Sequence, residues 1–244
     1  MLIESSQNSN FKLWKSLRKK KYRKENNLFI VEGKKLFREA TFSDILINSV
    51  ILKEDFNPDF VEEVFKGKIY ILKEQLFNEL SEMEHSEGIL CICEKKTFSI
   101  STGSKVIILD GIKDPGNAGT IIRSAEAFGF KDCIFMNDCV DPYNSKVIRG
   151  SMGSIFRINI IEEEIIGKLK KEGYSFLILD MRGKAVSEFK GLKKTAVIIG
   201  SEAHGVSADM RNIADGVISI PMEGKVESLN AGIAASITMY ELNK

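Results

Sequence analysis

Five polar residues stand where apolar runs give way to loops: Asn117, Arg123, Glu202, Ser228 and Asn230. They fall in three segments. The first, LDGIKDPGNAGTIIRSAEAFGF (109–130), crowds Gly111, Pro115, Gly116 and Gly119 into a turn. A helical stripe of Ile121, Ile122, Ala125 and Phe128 follows it. Asn117 and Arg123 lie near that helix start, where free backbone amides favour anions. The second, VIIGSEAHGVS (197–207), puts Glu202 just past Gly200. A carboxylate there is, taken alone, solvated or capping a helix. The third, ISIPMEGKVESLNAGIAASITMYEL (218–242), runs through Pro221 and a Met222–Lys225 loop into a helix of small residues. Ser228 alone reads as its N-cap. The lean side of that helix implies close packing against another backbone or subunit.

An amide, a guanidinium, a carboxylate and a hydroxyl suit polar positioning better than hydrolysis. His204 lies near Ser201, but no third group orients it as a triad requires. No Lys-Ser/Thr pair follows Gly116 and no GxGxxG occurs, so nucleotide hydrolysis and dinucleotide binding lose support. Four cysteines (Cys91, Cys93, Cys133, Cys139) form no CxxC pair, and His85 and His204 are the only histidines, so no metal is expected.

These segments need a scaffold that gathers strand ends. VIILD (106–110), CIFM (133–136), FLILD (176–180), AVIIG (196–200) and VISI (217–220) are near-continuous apolar runs, the pattern of parallel strands covered on both faces. Helices are expected near 118–129, 143–152, 162–173 and 228–242. In such a sheet, ligands gather at the carboxyl ends of the strands. Before residue 94 the alternation is shorter: LFIV (28–31), ILINSVIL (45–52), IYIL (69–72) and ILCIC (89–93) read as strands, with helical stretches carrying Phe37 with Ala40, and Val61 with Val64 and Phe65. Cys91 and Cys93, two apart, read as same-face strand residues. Residues 94–105 turn polar and small, which marks a domain boundary. Both halves therefore read as α/β.

The 244 residues are 43% hydrophobic and 28% charged, the balance of a globular protein. No run of eighteen apolar residues exists, so no membrane span is expected. The opening MLIESSQNSN lacks the apolar core of a signal peptide, and a reducing cytoplasm with free thiols follows as the expectation. Net charge is +1, from 35 basic and 34 acidic residues, so any nucleic-acid surface must be a local patch. KLWKSLRKKKYRK (12–24) is such a patch, with eight basic residues, no acidic one, and Trp14 and Tyr22 interleaved. It reads either as a solvated basic helix or as a phosphate-contacting surface including Arg18, Lys19, Lys20 and Arg23.

The three segments resemble the three motifs of the SpoU (TrmH-type) RNA ribose 2′-O-methyltransferases, of the SPOUT class. DPGNAGTIIRSAEAFG is similar to the first motif, IIGSEAHG to the second and IPMEGKVESLNAGIAAS to the third. VIRGSMGSIFRI (147–158) resembles an accessory segment between them. NNLFIVEGKKLFREA (26–40) and EGILCIC (87–93) look like the ribosomal-protein-like RNA-binding domain that many members carry, which usually has Gln-Gly where this chain has Glu87-Gly88.

The resemblance implies a parallel-sheet α/β domain with a trefoil knot over 105–244. A smaller α/β RNA substrate-binding domain would span 25–96, with a basic segment 1–24 before it and a linker 97–104 after it. It implies S-adenosylmethionine as methyl donor, no metal, and a homodimer in the cytoplasm. The substrate would be RNA, ribosomal ahead of transfer RNA. By position, Gly200, Ile220, Met222 and Leu229 would hold the cofactor, and Asn117, Arg123, Glu202, Ser228 and Asn230 would form the catalytic polar set. Arg149 and Ser154 of the accessory segment would join the basic patch in binding RNA.

A guanidinium stays protonated at neutral pH and accepts no hydrogen bond. Arg123 is therefore expected to clamp the target phosphate and stabilise the developing oxyanion. Ser228 or Glu202 would relay the proton, Asn117 would orient Arg123 or the ribose, and Asn230 would fix the motif loops. The competing readings are a tRNA methyltransferase, a non-catalytic RNA-binding module and a small-molecule enzyme on a doubly wound sheet.

Overall fold

The computed structural model describes residues 1–96, 105–136, 138–162, 165–189 and 191–244, so the expected linker at 97–104 lies outside the described residues. The chain divides into two compact units, one of Met1–Lys96 with Tyr143–Arg149 and one of the remaining residues.

The first unit runs β1 (Leu2–Ile3), α1 (Ser9–Ser16), α2 (Lys20–Asn26), β2 (Leu28–Glu32), α3 (Lys34–Thr41), β3 (Ile47–Lys53), α4 (Asp59–Glu62), β4 (Lys68–Leu72), α5 (Glu74–Leu80) and β5 (Ile89–Glu94). Its strands form one sheet in the order β1-β4-β3-β5-β2. β1, β4 and β3 pair in parallel, whereas β5 is antiparallel to both β2 and β3. ILCIC, in β5 between β3 and β2, is wholly buried, with the Cys91 and Cys93 sulfurs 3.9 Å apart on one face. Their mutual hydrogen bond and complete burial push the Cys93 thiol well above its usual range.

The basic segment is not one helix. It breaks at 17–19, and Phe11, Trp14 and Leu17 turn into the core beside Leu72 and Phe77. Asn8 caps α1 by accepting from the amides of Asn10 and Phe11, and Trp14 meets Tyr70 edge-on at 5.0 Å. Apolar residues at i, i+3 and i+6 give this stretch a buried stripe that its charge count conceals.

The second unit runs β6 (Val106–Asp110), α6 (Pro115–Ala127), β7 (Asp132–Phe135), α7 (Ser145–Ser151, shared with the first unit), β8 (Asn159–Ile161), α8 (Ile166–Lys171), β9 (Ser175–Ala185), β10 (Thr195–Gly200), α9 (Ala208–Ile213), β11 (Gly216–Ser219) and α10 (Ala231–Leu242). All six strands pair in parallel, in the order β11-β9-β10-β6-β7-β8. The expected apolar runs are these strands, and Val106–Leu109 at the centre are wholly buried. The short β8 was not among the expected strands, because three residues carry too little periodicity to see.

Two departures shape the functional end. The last helix begins at Ala231 rather than near 228, because Asn230, not Ser228, is its N-cap: Asn230 Oδ1 accepts from the Ile233 amide at 3.2 Å. β9 also continues well past 180. Val217 pairs with Ile178 but Ile218 pairs with Lys184, so residues 179–183 leave the β11 ladder as a wide excursion. Gly183 closes it. A Cβ there would stand 2.4 Å from the Ile218 carbonyl carbon, too close for any other residue.

Candidate active site

The β9 excursion and the carboxyl ends of β10 and β11 open on one cavity of about 340 Å³, within the range of small-molecule sites. Its apolar lining includes Leu179, Ile199, Ile220 and Leu229; its polar side comes from Asp180, Ser201, Glu202, Ser228 and Asn230. Gly200 and Met222 complete the expected cofactor set at its wall. All four residues expected to hold a cofactor therefore line one space.

The geometry follows from three local devices. The first is the start of α6. Asp114 Oδ1 accepts the Asn117 amide at 2.7 Å and Pro115 occupies the first helical position, which fixes where the helix begins. This leaves the buried Asn117 amide group free to donate to Glu202 Oε1. The polar residues of the first and second motifs thus meet directly. The role expected of Asn117 is to orient Arg123 or the ribose; in this structure its Nδ2 donates to Glu202.

The second device is the turn after β10. Ser201 and Gly205 exchange two backbone hydrogen bonds, 3.1 and 2.8 Å, and fold residues 201–205 into a tight loop. The loop lies so near its own strand that a Cβ on Gly200 would sit 2.2 Å from the Gly205 carbonyl carbon. Arg211 on α9 braces this loop against the β9 excursion. Its Nε donates to the Val206 carbonyl at 3.1 Å and its Nη2 to Asp180 Oδ2 at 2.8 Å. The guanidinium holds the Asp180 carboxyl below the usual aspartate range.

The third device is the close approach of α10 to α6. Gly232 has no side chain to hold them apart: a Cβ would lie 3.1 Å from Thr120 and 3.2 Å from Asn117 Oδ1. Ser124 and Ser236 meet at 2.6 Å, and Ser236 donates onward to the Gly232 carbonyl at 2.6 Å. The small residues of the last helix serve this packing, as their leanness implied.

Of the catalytic set, Glu202, Ser228 and Asn230 line the cavity and Asn117 is one hydrogen bond away. Arg123 does not line it. It is exposed on α6, with no hydrogen bond or ion pair among the described residues. The residues expected to touch RNA divide sharply. Lys19 and Lys20 are exposed. Arg18 donates to the Glu79 carbonyl at 3.1 Å and faces Glu82 at 3.5 Å. Arg23 is buried and donates to the Leu17 carbonyl at 2.7 Å. Ser154 is buried and hydrogen-bonds Glu126. Arg149 is half-buried, with Nη1 buried and unpartnered.

Sequence reasoning missed the β9 excursion, with Asp180 and its brace Arg211. The available signal was the break of the apolar run FLIL at DMRG, where a polar stretch ends on glycine.

The SpoU rRNA Methylase family model matches residues 104–240, and the MRM3-like substrate binding domain model matches residues 8–91. A Bacillus subtilis protein, the 23S rRNA (guanosine(2553)-2′-O)-methyltransferase RlmP, is 32% identical over 98% of each chain. Among solved structures, the SpoU methyltransferase AviRb from Streptomyces viridochromogenes, in complex with AdoMet, superposes with a TM-score of 0.88 at 25% identity over 97% of each chain. An AdoMet-bound rRNA methyltransferase from Sinorhizobium meliloti gives a TM-score of 0.85 at 26% identity, over 99% of this chain and 97% of the other.

Proposed function

The chain belongs to the SpoU rRNA methylase family and is an S-adenosylmethionine-dependent RNA (ribose-2′-O)-methyltransferase, and from that premise we propose which residues do the work and on which RNA. The observation that carries the assignment is the cavity between the β9 excursion and the ends of β10 and β11, which draws on the second and third motifs and is tied to the first through Asn117 and Glu202. Its volume, its apolar walls and its rim of strand-end polar groups suit an adenosine-sized ligand with a charged tail. Gly200, Ile220, Met222 and Leu229 would hold that ligand.

When bound, S-adenosylmethionine supplies an electrophilic methyl on a sulfonium, so no metal is called for. The protein must bring the ribose oxygen into line and handle its proton. Orientation alone is worth about 7–11 kcal/mol. Arg123, exposed and unpaired, is the group we assign to the target phosphate and to the negative charge that develops on the 2′-oxygen. Glu202 and Ser228 face the cavity and are the candidates to accept the proton. Asn117 fixes the Glu202 carboxylate, and Asn230 fixes the start of α10.

The domain roles follow. Residues 105–244 carry the chemistry, with the knot of the SPOUT class formed where the segments after β10 and β11 pack together. Residues 25–96, with the basic segment before them, engage RNA. Ribosomal RNA is the substrate we propose. The full-length likeness to a 23S rRNA enzyme supports it, and the guanosine that relative modifies is the first position to test. The working form we propose is a homodimer in the cytoplasm. In support, α10 leaves Ile233 and Tyr240 about half exposed (51% and 49%), and the Tyr240 ring packs tilted against Phe128 at 5.5 Å. Such apolar surface fits a second copy.

The test is calorimetry with S-adenosylmethionine and S-adenosylhomocysteine, paired with mapping of 2′-O-methyl marks on ribosomal RNA from cells with and without the protein. Uptake of both ligands and one mark lost with the gene is the expected result. No uptake, or marks lost only from transfer RNA, overturns the assignment.

A further inference from the structure

A second cavity, of about 480 Å³, lies wholly in the first unit and plays no part in the reaction described above. Sheet topology creates it. Because β5 runs antiparallel, its start abuts the ends of β2 and β3: the Gly33 amide donates to the Ile89 carbonyl at 3.1 Å, and the Lys53 amide to the Gly88 carbonyl at 2.9 Å. Three loops therefore converge on one space.

Its lining combines the aromatic faces of Phe56 and Phe60 with two cations, Lys34 and Lys53, and two carboxylates, Asp55 and Glu87. Phe56 and Phe60 are half-buried and meet edge-on at 6.3 Å. Lys34 Nζ stands 5.2 Å from the Phe56 ring centre, and Arg38, exposed just outside the lining, 6.0 Å from that of Phe60. Neither cation has a carboxylate partner among the described residues. Lys53, by contrast, is neutralised by Asp55 at 3.2 Å and Glu74 at 3.3 Å. Glu87 fixes the arrangement: its Oε2 accepts the Lys34 amide at 2.8 Å, which holds the start of α3 over the cavity. A Cβ on Gly88 would lie 3.2 Å from Phe56 Cδ2, so bare backbone there lets the ring sit where it does.

We propose that this cavity takes one unpaired nucleotide of the RNA substrate, its base stacked on Phe56 and its phosphate paired with Lys34 and Arg38. The inference rests on the reading of this unit as an RNA-binding one. Single-stranded nucleotides are held by this pairing of aromatic faces with free cations, whereas duplex RNA hides its base faces. In the basic segment Trp14 is buried and Arg18 and Arg23 are occupied; Lys21 stands 5.7 Å from the Tyr22 ring centre, but it faces Glu25 at 3.8 Å and that pair lines neither of the two cavities.

The test uses the full chain and a short fluorescein-labelled RNA strand, alone or annealed to its complement, with AMP as a separate arm. Wild type is expected to favour the single strand and to show no saturable uptake of AMP. Phe56→Ala should weaken single-strand binding roughly tenfold, and Phe56→Trp should retain it. Lys34→Ala should weaken it as well. S-adenosylmethionine binding and melting temperature should stay at the wild-type values in all three. Equal binding of strand and duplex, unchanged affinity in both Phe56→Ala and Lys34→Ala, tight AMP binding, or loss that Phe56→Trp does not rescue would each overturn the proposal. Failure of the functional reading shows separately, as a wild-type chain that takes up no S-adenosylmethionine.

Discussion

The two cavities sit on sheets of different construction. In the second unit all six strands run the same way, so β10 and β11 deliver their carboxyl ends to one side, where the excursion of β9 and the loops they feed crowd each other. The product is a space with apolar walls and backbone-lined edges, stiffened by the Arg211 brace. In the first unit the start of one antiparallel strand meets the ends of two others, and the space is rimmed by Lys34, Phe56 and Phe60. On our proposal, one sheet builds a pocket for a small ligand held in register with reacting groups and the other builds a patch for a flexible polymer. The difference lies in strand direction, since both halves share the same α/β alternation.

Variants in one region should spare the function of the other. The largest effect is expected from Arg123→Ala, which should lower methyl transfer by about 10²–10³ while cofactor binding persists, as when an oxyanion donor is removed. Single-turnover assays and calorimetry check it. Lost cofactor affinity with intact transfer would reverse the role. Next is Gly200→Ala, which forces a methyl group against the Gly205 backbone. It should cost about 1–3 kcal/mol of stability and abolish S-adenosylmethionine uptake, with single-strand RNA binding by the first unit preserved. Thermal melts and anisotropy separate the two.

Asn230→Ala removes the α10 cap and should cost about 1 kcal/mol, measured by denaturant unfolding. The smallest effect is assigned to Asp180→Asn. Arg211 holds the Asp180 carboxyl below its ordinary value of 3.8, so the pair stabilises the loops above that value and the benefit fades as pH falls through the lower folded-state value. The variant should therefore bind S-adenosylmethionine a few-fold more weakly at neutral pH, and the gap should narrow on acidification. A gap that widens in acid would remove Asp180 from the brace.

The two regions also differ in how far their letters could be read. Apolar runs such as VIILD and AVIIG became β6 and β10 within a residue or two, because a strand covered on both faces must be apolar throughout. The second and third motif segments met at one cavity for the same reason, since parallel strands end together, and the first reaches it only through the Asn117–Glu202 hydrogen bond. The basic segment was legible in charge and opaque in use. Eight cations in a row say nothing about which are consumed by Glu79, Glu82 and the Leu17 carbonyl. Phe56 and Phe60 drew no attention as a site, because nothing local announces that the start of β5 will come to rest beside them.

By itself the sequence determined the local facts: which runs are strands, that a helix follows the glycine-rich turn after VIILD, and which polar types stand at strand ends. Tertiary structure alone decided that Asn117 would hold Glu202, that Arg211 would brace Asp180, and that Lys34 would stay free while Arg23 was buried. Period, capping and composition act over a few neighbouring residues. Hydrogen-bond partnership across the fold depends on which distant backbones the packing brings within about 3 Å, and no window of residues encodes that distance.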